Sequence, residues 1–270
     1  MIPHTDDIVV LRRVEYGDSD LIITALARQA GIVSALARGA RRSKKRFGGG
    51  LGLFGVARAT LVKRPRRELW ELSSTELETS FDALAIDVAA MAHASYGTEL
   101  VRELVAPEQS EPEVFALLLE LYRTLAEVGA SPPALRSFEL RLLAALGLAP
   151  VLTRCIRCDY ALAMGEGEGA SLDARWGGVA CRRCAPEGAG KPLDPAARAL
   201  LVAAAELPLG RAAADLGAIR GDAARQARDA MVSLVLGHVG RPLRSLEFIA
   251  KLRGGGPRAR CADEDSSGAR

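Results

Sequence analysis

The chain has 270 residues, of which 49% are hydrophobic, 26% charged and only 4% aromatic. That is long enough to bury a substantial core and too apolar for a disordered chain. No apolar run approaches the roughly 18 residues of a membrane helix, and the N-terminus carries Asp6 and Asp7 instead of a basic-then-apolar export signal, so a soluble cytoplasmic protein is expected.

The net charge of +3 conceals an asymmetry. Residues 1–80 hold 14 Lys/Arg and 9 Asp/Glu, whereas the rest of the chain holds 22 and 24. Between residues 21 and 67 there are 12 basic side chains and no acidic one. A solvated face normally mixes both signs, so this window points to a polyanionic partner.

In chain order, the first 75 residues read as short strands. DIVVLRR (7–13), DLIITALAR (20–28) and GIVSALAR (31–38) are rich in β-branched residues, and Gln29-Ala30-Gly31 is short enough to close a hairpin between the second and third. VARATLVK (56–63) and ELWELS (68–73) form another pair, with Pro65 in the turn between them. Five short strands with glycine between them suggest a small closed barrel. From about residue 80 the period becomes helical. Phe115, Leu118, Leu119, Tyr122 and Leu125 form one stripe after Pro112, and Phe138, Leu142 and Leu146 another before Gly147. Asp194-Pro195 reads as a helix start, a last helix covers roughly 222–239, and residues 253–270 read as a disordered tail.

The sharpest motif is a repeated C-x-x-C, Cys155 to Cys158 and Cys181 to Cys184, with 22 residues between the pairs. Two thiolates from each of two tight turns make the tetrahedral four-sulfur site that zinc accepts. Four cysteines close the site, so the Zn2+ is expected to be structural, one per chain, stapling a glycine-rich insertion. The zinc nucleobase deaminases need an upstream H-x-E, which none of His4, His93 and His238 provides. Gly48-Gly49-Gly50 lacks the Lys-Ser/Thr of a phosphate-binding loop, and no G-x-S-x-G is present. No catalytic constellation emerges, and no enzyme is expected. Cys261 stands alone in the tail.

The basic window divides into two clusters. Arg38, Arg41, Arg42, Lys44, Lys45 and Arg46 follow the third strand, and Lys63, Arg64, Arg66 and Arg67 occupy the tip of the last hairpin. On a closed barrel both can lie on one side, giving a positive groove for nucleic-acid phosphates. Phe47 and Trp70 are candidates to stack on bases, or equally to fill the barrel core. With so few aromatics, phosphate contacts should dominate over stacking. An RNA-binding barrel protein with a structural zinc site would share these features and remains the alternative.

Three segments resemble the bacterial recombination mediator family RecO: GDSDLIITALARQAGIVSALARGARRSKKRFGGGL near the N-terminus, FELRLLAALGLAPVLTRCIRC before the second cysteine pair, and HVGRPLRSLEFI near the end. The resemblance spans residues 5–252 and implies an α+β chain. Residues 1–79 would form an OB barrel and 80–252 a helical domain, with a four-cysteine zinc insertion at about 151–190. It also implies a non-enzymatic, nucleoid-associated DNA-repair protein of the RecF pathway, without membrane association. Such proteins bind single- and double-stranded DNA and anneal complementary strands. They work with RecR, and with the C-terminal tail of single-stranded-DNA-binding protein, to load RecA. The family's basic segment falls on Arg38, Arg41, Arg42 and Lys44. Its zinc ligands fall on Cys155, Cys158, Cys181 and Cys184. Gly49 and Gly50 stand where small non-glycine residues are usual.

Overall fold

The computed structural model describes residues 3–65, 67–163, 167–186 and 188–253. Five strands come first: β1 (His4–Tyr16), β2 (Asp20–Ala27), β3 (Gly31–Ala37), β4 (Gly55–Val62) and β5 (Trp70–Ser80), with a one-turn helix α1 (Lys44–Phe47) between β3 and β4. They close into a barrel in the order β1-β2-β3-β5-β4, as expected, with β3 and β5 joined by a short parallel pairing and every other neighbour antiparallel. This is the OB arrangement.

The near-continuous apolar runs have a specific cause. On β1, Ile8 and Val10 face the barrel interior while Val9 and Leu11 pack outward against helices, so both faces of one strand are buried. The same division puts Ala25 and Ala27 of β2 inside and Leu26 outside. Alanine recurs inside the barrel, at Ala25, Ala27, Ala35, Ala37, Ala57 and Ala59, because a five-stranded barrel leaves little room at its axis.

Three helices follow: α2 (Val88–Leu104), α3 (Pro112–Val128) and α4 (Pro132–Ala145). The starts of α2 and α4 are capped by side chains. Asp87 accepts hydrogen bonds from the N–H groups of Ala89 and Ala90, and Ser131 from that of Ala134. Phe115, Tyr122, Leu125, Phe138 and Leu142 fill the core that joins these helices to the barrel wall. Gly31 marks a close approach. Its φ is +71°, and a Cβ there would sit 2.0 Å from the carbonyl oxygen of Gln109. The loop before α3 is thereby laid along β3, with the Glu108 N–H donating to the Ile32 carbonyl.

A small sheet of β6 (Ala170–Asp173), β7 (Gly178–Cys181) and β8 (Lys191–Leu193), ordered β7-β6-β8, carries the second cysteine pair. After it come α5 (Pro195–Glu206), α6 (Leu209–Asp215), α7 (Gly221–Val239) and α8 (Arg244–Arg253). The cysteine segment has more core than its glycines suggest: Leu152, Leu162, Leu172, Val179 and Leu193 pack with Leu200 and Leu201 of α5 and Met231 of α7. Arg198 of α5 is fully buried and donates to the carbonyls of Leu152, Leu162 and Ala163, tying both ends of the first cysteine turn to the helix. Residues 254–270 of the expected disordered tail, including Cys261, lie outside the described residues, and Arg253 belongs to α8.

Candidate nucleic-acid interface and metal centre

The turn after β3 is built to hold charge in place. The Gly39 N–H donates to Asp20 Oδ1 at 2.8 Å and the Arg41 N–H to the Ser19 carbonyl at 3.0 Å, pinning the turn to the start of β2. Arg46 donates to the Arg38 carbonyl at 2.6 Å and lies over the Phe47 ring, 5.1 Å from its centroid. Phe47 itself is 4% exposed and belongs to the barrel core. It anchors α1 and offers no ring face to a base, which corrects the stacking expectation for this residue. Phe54 likewise packs edge-on against Tyr122 in the core.

Arg38, Arg41, Arg42, Lys45 and Arg46 are exposed. Among the described residues only Arg41 of these has an ion pair, with Glu15 at 3.3 Å. On the β4–β5 hairpin, Lys63 and Arg67 are exposed and Arg64 is half-buried. Arg64 pairs with Glu71, its Nε 2.8 Å from Oε2. Lys63 pairs with Glu108, which also accepts a hydrogen bond from Trp70 Nε1 at 3.0 Å. Lys63 and then Trp70 hold the Glu108 carboxyl below its ordinary range. Arg66 and the side chain of Lys44 lie outside the described residues.

The barrel brings the two clusters together. Arg38 from the first and Arg64 and Arg67 from the second line one groove of about 270 Å³, together with Glu68, Glu71 and half-buried Trp70. The turn bearing Arg41, Arg42, Lys45 and Arg46 continues directly from Arg38. A negatively charged chain laid along this rim meets several cations at once, and one indole.

The four cysteines also converge. The Sγ atoms of Cys155, Cys158, Cys181 and Cys184 lie within 4.8 Å of one another, with Cys158 and Cys181 3.9 Å apart. A tetrahedron with zinc–sulfur bonds of about 2.3 Å has edges of about 3.8 Å, so the spacing fits such an ion. The electrostatics agree. Burial opposes ionisation of Cys155, but N–H groups of Cys181 and Arg157 aimed at its sulfur bring the thiol down to about 6. The sulfurs of Cys158 and Cys181, together with burial, push Cys184 up to about 12. Four thiolates this close would repel one another, and a cation among them would relieve that repulsion.

A third feature gave no signal in the sequence. A pocket of about 430 Å³ opens between α4, α5 and α7, with Pro132, Pro133, Leu200 and Ile219 as apolar lining. Arg136, Arg220, Arg225, Arg228 and Arg253 stand around it. Arg136 is 6% exposed and pairs with fully buried Glu139 at 2.7 Å, and Glu139 also accepts from Tyr96. His93 is also buried, and its Nδ1 has no hydrogen-bond partner among the described residues. Burial first, then Arg136 and Arg253, lower His93 to about 4. It is therefore neutral when folded, and its contribution is complete above its unfolded value near 6.5 and is lost as pH falls from there toward 4. Unfolding free energy should drop by about 2 kcal/mol between pH 7 and 5 from this group alone. Urea titrations at the two pH values check it, and His93→Gln should remove that share of the acid sensitivity.

The chain is similar to known proteins along most of its length. The model for Recombination protein O N terminal matches residues 1–81, and that for Recombination protein O C terminal matches residues 86–247. The DNA repair protein RecO of Anaeromyxobacter dehalogenans (strain 2CP-C) is 41% identical over 244 residues, covering 90% of this chain and 94% of the relative. The DNA repair protein RecO of Myxococcus xanthus (strain DK1622) is 34% identical over 252 residues, covering 92% and 98%. That of Symbiobacterium thermophilum is 35% identical over 248 residues, covering 92% and 96%. Among the described residues no helix is long and apolar enough to cross a membrane.

Proposed function

Because the chain belongs to the RecO family of DNA repair proteins, we propose that it is a non-enzymatic strand-annealing protein that holds DNA on the rim of its barrel. The supporting observation is the groove shared by Arg38, Arg64 and Arg67, flanked by the exposed turn of Arg41, Arg42, Lys45 and Arg46. Lys63 extends the same cationic surface, Lys44 and Arg66 are assigned to it from their place in the sequence alone, and Trp70 is its stacking residue among the described residues. The barrel, residues 1–79, carries the DNA, single- or double-stranded, and residues 80–252 carry the tail of single-stranded-DNA-binding protein.

Annealing then follows from electrostatics. Two phosphate backbones repel each other, and a cationic surface that binds both raises their local concentration and screens that repulsion. No covalent bond changes, so no acid, base or nucleophile is required.

Zinc is the metal that the four-cysteine set suits, and its role is to fix the two cysteine turns. The partners are RecR, the C-terminal tail of single-stranded-DNA-binding protein and, through them, RecA, in the RecF pathway of the bacterial cytoplasm and nucleoid. The tail, acidic and apolar, matches the pocket of Pro132, Pro133 and Leu200 ringed by arginines. The direct test is annealing of complementary strands coated with single-stranded-DNA-binding protein, with and without RecR. Annealing above the rate of the coated strands alone is expected. No acceleration, with or without RecR, would refute the proposal. Competition between DNA and RNA of equal length separates this reading from an RNA-binding barrel.

A further inference from the structure

Exposed cations also concentrate on the cysteine turns. Arg157 lies inside the first C-x-x-C turn and Arg182 and Arg183 inside the second, and all three are exposed. Because the four sulfurs converge within 4.8 Å, the two turns and their three arginines are drawn to one place. Two carboxylates of this segment are engaged elsewhere: Asp159 pairs with Arg154 at 3.3 Å and Asp173 with Arg175 at 2.6 Å. Arg157, Arg182 and Arg183 have no carboxylate partner among the described residues.

Two of the three lie over aromatic rings. The Arg157 guanidinium is 5.6 Å from the centroid of Trp176, and that of Arg183 is 5.4 Å from the centroid of Tyr160, which is 56% exposed. Arginines serving only to balance thiolate charge would turn toward sulfur. Here the hydrogen bonds to Cys155 Sγ come from the backbone N–H groups of Arg157 and Cys181. Exposed guanidinium groups beside an exposed ring are the composition of a single-strand surface, with phosphates on the cations and a base on the ring.

We propose that the paired cysteine turns form a second single-stranded nucleic-acid surface, on which Tyr160 stacks a base and Arg157, Arg182 and Arg183 contact phosphates. The inference rests on the DNA-binding reading of the barrel and adds to it. One chain then holds two strands at once, one on the barrel rim and one on the cysteine turns, so a single molecule can present both partners of an annealing reaction.

The chain's two tryptophans make the test separable, since Trp70 lies in the barrel groove and Trp176 beside Arg157. Trp70→Phe leaves Trp176 to report on the turns, and Trp176→Phe leaves Trp70 to report on the barrel. Titration of the full chain with an oligothymidylate should change the fluorescence of both reporters and saturate at two strands per chain. Arg182→Ala with Arg183→Ala should weaken binding at the Trp176 reporter roughly 25-fold at about 0.1 M salt, the expectation for two lost phosphate contacts. Binding at Trp70 and the metal content should stay unchanged. Tyr160→Ala, outside both C-x-x-C turns, should weaken the same site and guards against a folding defect in the arginine variant. Saturation at one strand per chain, with Trp70 responding and Trp176 silent, would overturn the second surface and leave the barrel reading intact. Silence of both reporters would overturn both. A polyglutamate of equal length that shifts Trp176 as strongly as the oligonucleotide would assign the patch to an acidic protein instead.

Discussion

Serine at Cys155 and Cys181 together should abolish metal binding and release the segment from Val151 to Leu193 from its folded arrangement. Each turn would keep one sulfur, too few to close a tetrahedral site. A structural zinc site contributes on the order of 10 kcal/mol of coupled binding and folding free energy. The barrel core and the core of α2–α4 include no residue of this segment, so the loss should stay local. Metal analysis and hydrogen exchange check both halves of the expectation: exchange should rise across β6–β8 and remain slow in the barrel. A variant with unaltered exchange in β6–β8 would show that the metal is not what holds the segment.

Alanine at Arg38, Arg41, Arg42 and Lys45 should remove most of the affinity for single strands with little change in stability. Four lost phosphate contacts lower the log–log salt slope by about 2.8 and reduce affinity at about 0.1 M salt by two to three decades. Folding should be nearly untouched, because the one ion pair involved, Arg41 with Glu15, joins two exposed side chains. Such pairs contribute at most about 1 kcal/mol. Arg46 is left in place because it donates to the Arg38 carbonyl and covers Phe47, so its loss would loosen the turn itself. Fluorescence anisotropy at several salt concentrations, beside a thermal melt, separates lost charge from lost fold.

Much of this arrangement was legible in the residues. The five strand segments stand out because a small barrel must alternate inward and outward side chains over short runs. The alternation looked imperfect because Val9, Leu11, Leu26 and Ile32 face the helices while Ile8, Val10 and Ala25 face the axis, so polar residues are excluded from both sides. The start of α5 was readable from Asp194-Pro195, where the cap hydrogen bond forms. The cysteine spacing identified a metal cluster because two tight turns place sulfurs in a way few other functions require.

Other features carry no local signal. Strands β6–β8 have three or four residues each, too short for a period to show among glycines. Phe47 follows a basic run and invites a stacking reading, yet it is the residue that plugs α1 into the barrel. Glu108 reaches Lys63 and Trp70 only because Gly31 lets its loop lie against β3. The arginine-ringed pocket assembles Arg136, Arg220 and Arg253 from positions more than a hundred residues apart at the extremes, and only the packing of α4, α7 and α8 makes them neighbours.

The most direct measurement is the affinity of the full chain for one oligothymidylate across a series of salt concentrations. A barrel rim that works through phosphate contacts gives a log–log slope of about −3 or steeper, becoming shallow in the variant lacking Arg38, Arg41, Arg42 and Lys45. A slope near zero, or one that the four substitutions leave unchanged, would contradict it.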